Sequence, residues 1–260
     1  MSDPPALRTV RATRYVTPLR EGGSLPGLVE ADDDGTYVTK FRGAGQGPRA
    51  LVAEIVAGEV GRALGLPVPE LVLVELDPRI AAAEPDPEIQ ELLRASAGLN
   101  VGMDFLPGSL AFDTASCGDV DPAFAARVVW FDAAMTNIDR TARNPNMIRW
   151  HGDTWLIDHG AALYRHHSPE PLGPRADAVF AGPRDHVLLA CAGPLAEAQD
   201  ALRSAIDPGL ADDVLARVPD EWLVDDDWPQ TAAERRADYA AYLATRLWGR
   251  DVAADVEALR

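Results

Sequence analysis

The sequence predicts an α+β fold of two lobes. A small β-rich lobe with one main helix occupies residues 1–106, and a larger, mostly helical lobe occupies residues 107–260. Three observations carry that reading. Residues 14–41 hold three short β-prone runs separated by turn residues. A long stretch of helical periodicity, residues 49–65, follows them. From about residue 184 to the end, the apolar residues recur at helical spacing only. The order is β, β, β, α, β, β, then α, a hairpin, and α to the end. Strands and helices do not alternate, which disfavours a doubly wound dinucleotide-binding sheet.

The elements follow in chain order. "RYVTPL" (14–19), "PGLVEA" (26–31) and "TYVTKF" (36–41) are strands, with "REGG" separating the first two and "DDDG" turning between the last two. "RALVAEIVAGEVGRALG" (49–65) is a helix ended by Gly65, Pro67 and Pro69. "ELVLVEL" (70–76) is a strand. "EPDPEIQELL" reads as an insertion with a short helix, and "GLNVGMDFL" (98–106) as a further strand. "DPAFAARVVWFDAAMTN" (121–137) is a helix with Asp121 as cap and Pro122 in its first turn. "NMIRW" and "TWLID" form a strand pair joined by "HGD". Helices follow to the end, the clearest being "AERRADYAAYLATRLWGR". No internal repeat is present.

Composition bounds the function. Of 260 residues, 47% are hydrophobic and well distributed, enough for a substantial core. A net charge of −17 argues against nonspecific binding to nucleic acid or to an anionic membrane. No run of 18 apolar residues predicts a membrane span, and the first 20 residues show no secretory h-region. Cys117 and Cys191 stand far apart without a C-x-x-C; they could in principle pair, but a cytoplasmic chain with reduced thiols is the expectation.

The chemistry concentrates in "NIDRTARNPNMIRWHGDTWLIDHG" (137–160). Asp139 is followed five positions later by Asn144. Asp158 closes the next strand pair and is followed by His159 and Gly160. Asp139 and Asn144 alone are ordinary turn formers, and Asp158 alone could cap a helix. In this order, downstream of a strand lysine and a helix glutamate, the set is the arrangement of protein-kinase-like phosphotransferases. A hydroxyl acceptor needs a carboxylate near the proton that it loses. Mg²⁺ takes oxygen ligands, usually one or two of them from protein beside the nucleotide phosphates.

Lys40 is the sole lysine; the other 23 of the 24 basic residues are arginine. It lies on the third strand, where kinase-like folds hold a lysine against the α- and β-phosphates, and the next helix should supply a carboxylate to it. Glu54 lies on a face of small residues, and Glu59 falls within the apolar face; periodicity slightly favours Glu59. Gly22, Gly23 and Ser24 join the first two strands and could approach phosphate oxygens, although a plain hairpin turn reads equally well. "GAGQGPR" is a second glycine-rich loop, connecting strand to helix or touching anions through the helix N-terminus. Met103, Asp104, Phe105 and Leu106 fall where the lobes join, and their backbone groups would meet an adenine edge.

On "GGS" (22–24), "YVTKFRGAGQGPRALVAEIVAG" (37–58), "GLPVPE" (65–70), "NIDRTARNPNMI" (137–148) and "LIDHG" (156–160), the chain resembles HipA-like kinases of a compact bacterial group. The resemblance implies a bilobal kinase fold that uses ATP and Mg²⁺. By motif, it implies Asp139 as catalytic base, Asn144 and Asp158 as metal ligands, and Lys40 as the phosphate-binding lysine. It places the helix glutamate at Glu54, against the periodicity. Larger HipA toxins carry an additional N-terminal subdomain for which this chain is too short. Ile138 precedes the aspartate, where eukaryotic kinases have His-Arg. The expected reaction is transfer of the ATP γ-phosphoryl group to a hydroxyl, on protein Ser or Thr. The alternatives are a nucleotide-binding pseudokinase acting by interaction and a small-molecule kinase of the same fold. His159, His166 and His167 do not make a convincing zinc site, and no G-x-S-x-G or H-E-x-x-H occurs. Trp222 and Trp228 read as packing residues.

Overall fold

The computed structural model describes residues 6–19, 25–45, 47–168, 170–224 and 230–260. Its N-terminal part is a closed five-stranded barrel. The strands are β1 (Thr9–Pro18), β2 (Gly27–Ala31), β3 (Thr36–Lys40), β4 (Leu71–Leu76) and β5 (Gly98–Asp104), in the order β1-β2-β3-β5-β4. Every pairing is antiparallel except the closure, where β1 runs parallel to β4 with Thr9 opposite Leu73 and Arg11 opposite Glu75. β1 therefore begins five residues before the expected strand. Its first half is set by a distant partner and interrupted by bulges, so no local alternation announces it.

Helix α1 (Gly47–Ala63) follows β3, and α2 (Pro87–Ala95) precedes β5. From Ala50 to Gly61, α1 is buried on all sides, between β4 and β5 on the barrel and helix α5 (Leu210–Leu215) of the C-terminal part. A Cβ on Gly58 would lie 2.6 Å from Leu71 Cδ1, so the glycine lets the helix sit close on β4.

The C-terminal part is built on α3 (Pro122–Ala134), capped by the Asp121 side chain on Phe124 N–H. A small three-stranded sheet precedes and follows it in sequence: β6 (Leu110–Ala111), β7 (Met147–Trp150) and β8 (Asp153–Leu156). β6 was not expected, since two residues carry no periodicity. The remaining helices are α4 (Leu195–Ala205), α5, α6 (Ala232–Ala244) and α7 (Val252–Glu257), with α6 continuing into a π-helical turn, Thr245–Gly249. Trp222 is buried; Trp228 lies outside the described residues.

Cys117 and Cys191 are joined by a disulfide, which corrects the expectation of free thiols. Two short 3-10 turns, Thr114–Asp119 and Leu189–Cys191, fold onto each other beside the N-terminal half of α3, bringing the Cα atoms to 6.2 Å. Among the described residues no helix is long and apolar enough to cross a membrane.

Candidate active site

A cleft of about 540 Å³ opens where the barrel meets the β7–β8 hairpin. Its walls are largely apolar, with Val38, Val101, Met103, Ile148 and Ile157 among them, and Lys40, Glu54 and Asp158 line it too. Met103, Asp104, Phe105 and Leu106 all lie along it. Asp104 N–H and Phe105 N–H are taken by Glu70 O and Thr36 O, at 2.9 and 3.0 Å; Leu106 N–H has no acceptor among the described residues. Gly22, Gly23 and Ser24 lie outside the described residues.

At the last residue of β3, Lys40 Nζ donates to Glu54 Oε2 at 2.5 Å and also contacts Asp158 Oδ1. Glu54 is 1% exposed, Lys40 12% and Asp158 37%, so the pair is sealed on the helix side and open toward the cleft. Burial alone would push the Glu54 carboxyl up; the Lys40 charge, with the His159 ring also beside the carboxylate, holds it well below the usual carboxylate range. Burial likewise opposes the charge on Lys40, and the charges of Glu54 and Asp158 outweigh it, raising the lysine above its ordinary value. Glu59, which periodicity favoured, faces the other way. It pairs with Arg217 and, at 3.4 Å, with Arg62. Because α1 is apolar and buried all round, periodicity had no exposed face against which to discriminate the two glutamates.

Asp158 lies two residues past β8 in a left-handed backbone conformation, φ 54°. A Cβ on Gly160 would sit 3.0 Å from Lys40 Nζ and 3.6 Å from Glu54 Oε2. Glycine there lets the Asp-x-Gly segment pass directly over the ion pair.

Asp139 and Asn144 form a second cluster on the loop between α3 and β7. Asn144 Nδ2 donates to Asp139 Oδ2 at 2.8 Å, and Asn144 Oδ1 has no donor among the described residues. Asn146 joins the two clusters. Its Nδ2 donates to Asp139 O at 3.0 Å, and its carbonyl accepts Ile157 N–H at 3.0 Å. Asn144 Oδ1 and the second oxygen of Asp158 are the kind of sparse oxygen set that Mg²⁺ takes alongside waters and phosphates, so these residues fit that ion. No group of three His, Cys, Asp or Glu among the described residues could hold an ion unaided.

Beneath the loop is a buried network that sequence reasoning missed. Arg140 Nε meets Asp132 Oδ2 at 2.5 Å, His186 Nε2 meets the same oxygen at 2.9 Å, and Asn137 Nδ2 donates to Asp132 Oδ1 at 2.8 Å. Burial would raise the Asp132 carboxyl; Arg140 and His186 hold it well below the usual range. Arg140 also reaches the carbonyl of Asn146. Asp132, on an otherwise apolar stretch of α3, was the available signal: a buried carboxylate needs a cation.

A model of the HipA-like kinase family matches residues 13–247. The chain belongs to the HipA-like kinase family. The fold agrees: the Helicobacter pylori proinflammatory kinase CtkA superposes with a TM-score of 0.57 at 13% identity, over 96% of this chain and 98% of that one. A Golgi casein kinase with Mn/ADP bound gives a TM-score of 0.47 at 12% identity, covering 99% of this chain and 74% of that one. A search of curated proteins by sequence finds no match. The chain is thus a HipA-like kinase of protein-kinase-like fold, a phosphotransferase by family.

Proposed function

We propose that the chain transfers the γ-phosphoryl group of ATP, with Mg²⁺, to a serine or threonine hydroxyl of a protein. The observation that carries the reading is the convergence of Lys40, Glu54 and Asp158 at one end of an apolar cleft lined by Met103–Leu106. A purine suits the apolar part, and the Leu106 N–H, without an acceptor among the described residues, suits its edge. We take residues 1–106 as the lobe that covers the nucleotide and 107–260 as the lobe that carries the acceptor side.

In this reading Lys40 binds the α- and β-phosphates, and Glu54 keeps its ammonium oriented. Asn144 and Asp158 would hold Mg²⁺, which would neutralise charge on the phosphates. Asp139 accepts the acceptor hydroxyl's proton as the oxygen attacks. Asn144 and Asn146 donate to Asp139 Oδ2 and fix its direction.

The acceptor side favours a peptide over a cationic small molecule. Next to Asp139, Ile138 lines an open groove of about 570 Å³ with Tyr164, Arg165, Arg175 and Val179, and no acidic side chain among the described residues lines it. Incubating the chain with γ-labelled ATP, Mg²⁺ and a cell lysate tests this. The expected outcome is acid-stable label on protein serine or threonine. Label confined to small molecules would contradict the acceptor class.

A further inference from the structure

Glu54 uses only one oxygen on Lys40. The other, Oε1, is buried with no hydrogen-bond partner among the described residues. Facing it at 3.5 Å is His159 Nδ1, on a ring that is wholly buried and has neither nitrogen bonded among the described residues. The other two buried histidines are paired. His186 accepts Leu188 N–H at Nδ1 and meets Asp132 at Nε2, and His166 meets Tyr239 and His167. His159 is therefore the exception, and the atom that it faces is an exception too.

Electrostatics choose between its tautomers. With the proton on Nε2, a lone pair on Nδ1 would face a carboxylate oxygen, and a buried N–H would lack an acceptor. With the proton on Nδ1, that N–H faces the carboxylate, and only a lone pair is left unpaired. At 3.5 Å there is no room for a water between the two. The ring is held edge-on to Phe131 of α3, centroids 6.0 Å apart, and the His159 carbonyl accepts Ala162 N–H at 2.9 Å.

Resting on the kinase reading above, we propose that His159 is a positioning residue. Its Nδ1–H donates to Glu54 Oε1 and holds the carboxylate so that Oε2 stays on Lys40. The contact ties α1 to the segment that carries Asp158. The helix, the lysine strand and the Asp158 turn are thereby set as one unit.

Long-range proton–nitrogen spectra of the full chain, labelled with ¹⁵N at histidine, read the tautomer directly, and loss of one ring in His159→Asn assigns the signal. A proton on Nδ1 is expected; a ring protonated on Nε2 alone overturns the proposal. Turnover of ATP with Mg²⁺ is the second readout. His159→Leu should lose about tenfold or more in kcat, with nucleotide affinity changed by less than about threefold. His159→Asn, whose amide nitrogen can take the Nδ1 position, should recover to within about threefold of wild type. Equal losses in the two variants, or none in His159→Leu, overturn it. If His159→Leu does not fold, the spectrum and His159→Asn decide. If wild type shows no turnover, the kinase reading fails, and the spectrum still decides the bond.

Discussion

At Lys40 the ammonium contacts Glu54 and Asp158 at once, and Gly160 lies so close that even a Cβ would press on the nitrogen. A guanidinium is wider and planar, so Lys40→Arg must displace a carboxylate although it keeps the charge. It should lose most turnover, roughly a hundredfold for a displacement of about 1 Å. Lys40→Met should lose as much activity and also stability, because Glu54 is left buried without a cation, at a cost of about 3 kcal/mol. The pH dependence follows from the sign. In wild type the folded-state Glu54 is held below its ordinary value, so the pair's stability is present above that value and is lost as pH falls through the lowered one. In Lys40→Met burial pushes the carboxyl up instead, and protonation relieves the penalty. The gap in melting temperature should be widest near about pH 7 and shrink toward about pH 4.5. A gap independent of pH would contradict the account. Lys40, Asp139, Asn144 and Asp158 were legible as candidates because their types and order are unusual together. His159 and Asn146 were not, since what singles them out is what faces them across the fold.

The loop that holds Asp139 is braced by the elements around it. Arg246, in the π-helical turn after α6, donates to Ala133 O at 2.7 Å and Ala134 O at 3.3 Å, closing the C-terminal end of α3 just before the loop. Thr136 and Tyr242 hydroxyls meet at 3.0 Å. Val187 N–H donates to Arg140 O at 3.0 Å, and His186 and Arg140 share Asp132. Arg140→Met leaves the buried Asp132 carboxylate without its guanidinium, with only His186 and Asn137 beside it, and should destabilise the chain by about 3–5 kcal/mol in urea unfolding. Adding Asp132→Leu should recover much of that loss, because the buried carboxylate is then gone. A double variant no more stable than Arg140→Met would show that the network does not act through charge. Long elements such as α1 and α3 were legible from periodicity and caps. The start of β1, and β6, were not, because non-local pairing decides them.

Across the whole molecule, the barrel and the helical part share α1, which is buried between them and carries Glu54 toward the cleft and Glu59 toward Arg217. Neutralising Glu59 should therefore affect stability more than turnover. The order of lobes was visible in the sequence as a change from strands to helices, whereas the Cys117–Cys191 bond was hidden by 74 residues of separation. Its loop is long, so replacing both cysteines with serine should lower stability by roughly 2–4 kcal/mol, read as a lower midpoint in denaturant. An unchanged midpoint would remove the bond from the account.

The central claim is that Asp158 serves nucleotide and metal while Asp139 serves chemistry. Calorimetric titration of ATP with Mg²⁺, paired with label transfer from γ-labelled ATP, tests it on three proteins. Wild type should bind and transfer. Asp139→Asn should bind with affinity within about threefold of wild type and transfer little or nothing, as expected for a group used only in the transition state. Asp158→Asn should lose Mg²⁺-dependent binding while staying folded. Equal Mg²⁺-dependent affinity in wild type and Asp158→Asn, or undiminished transfer by Asp139→Asn, would contradict it.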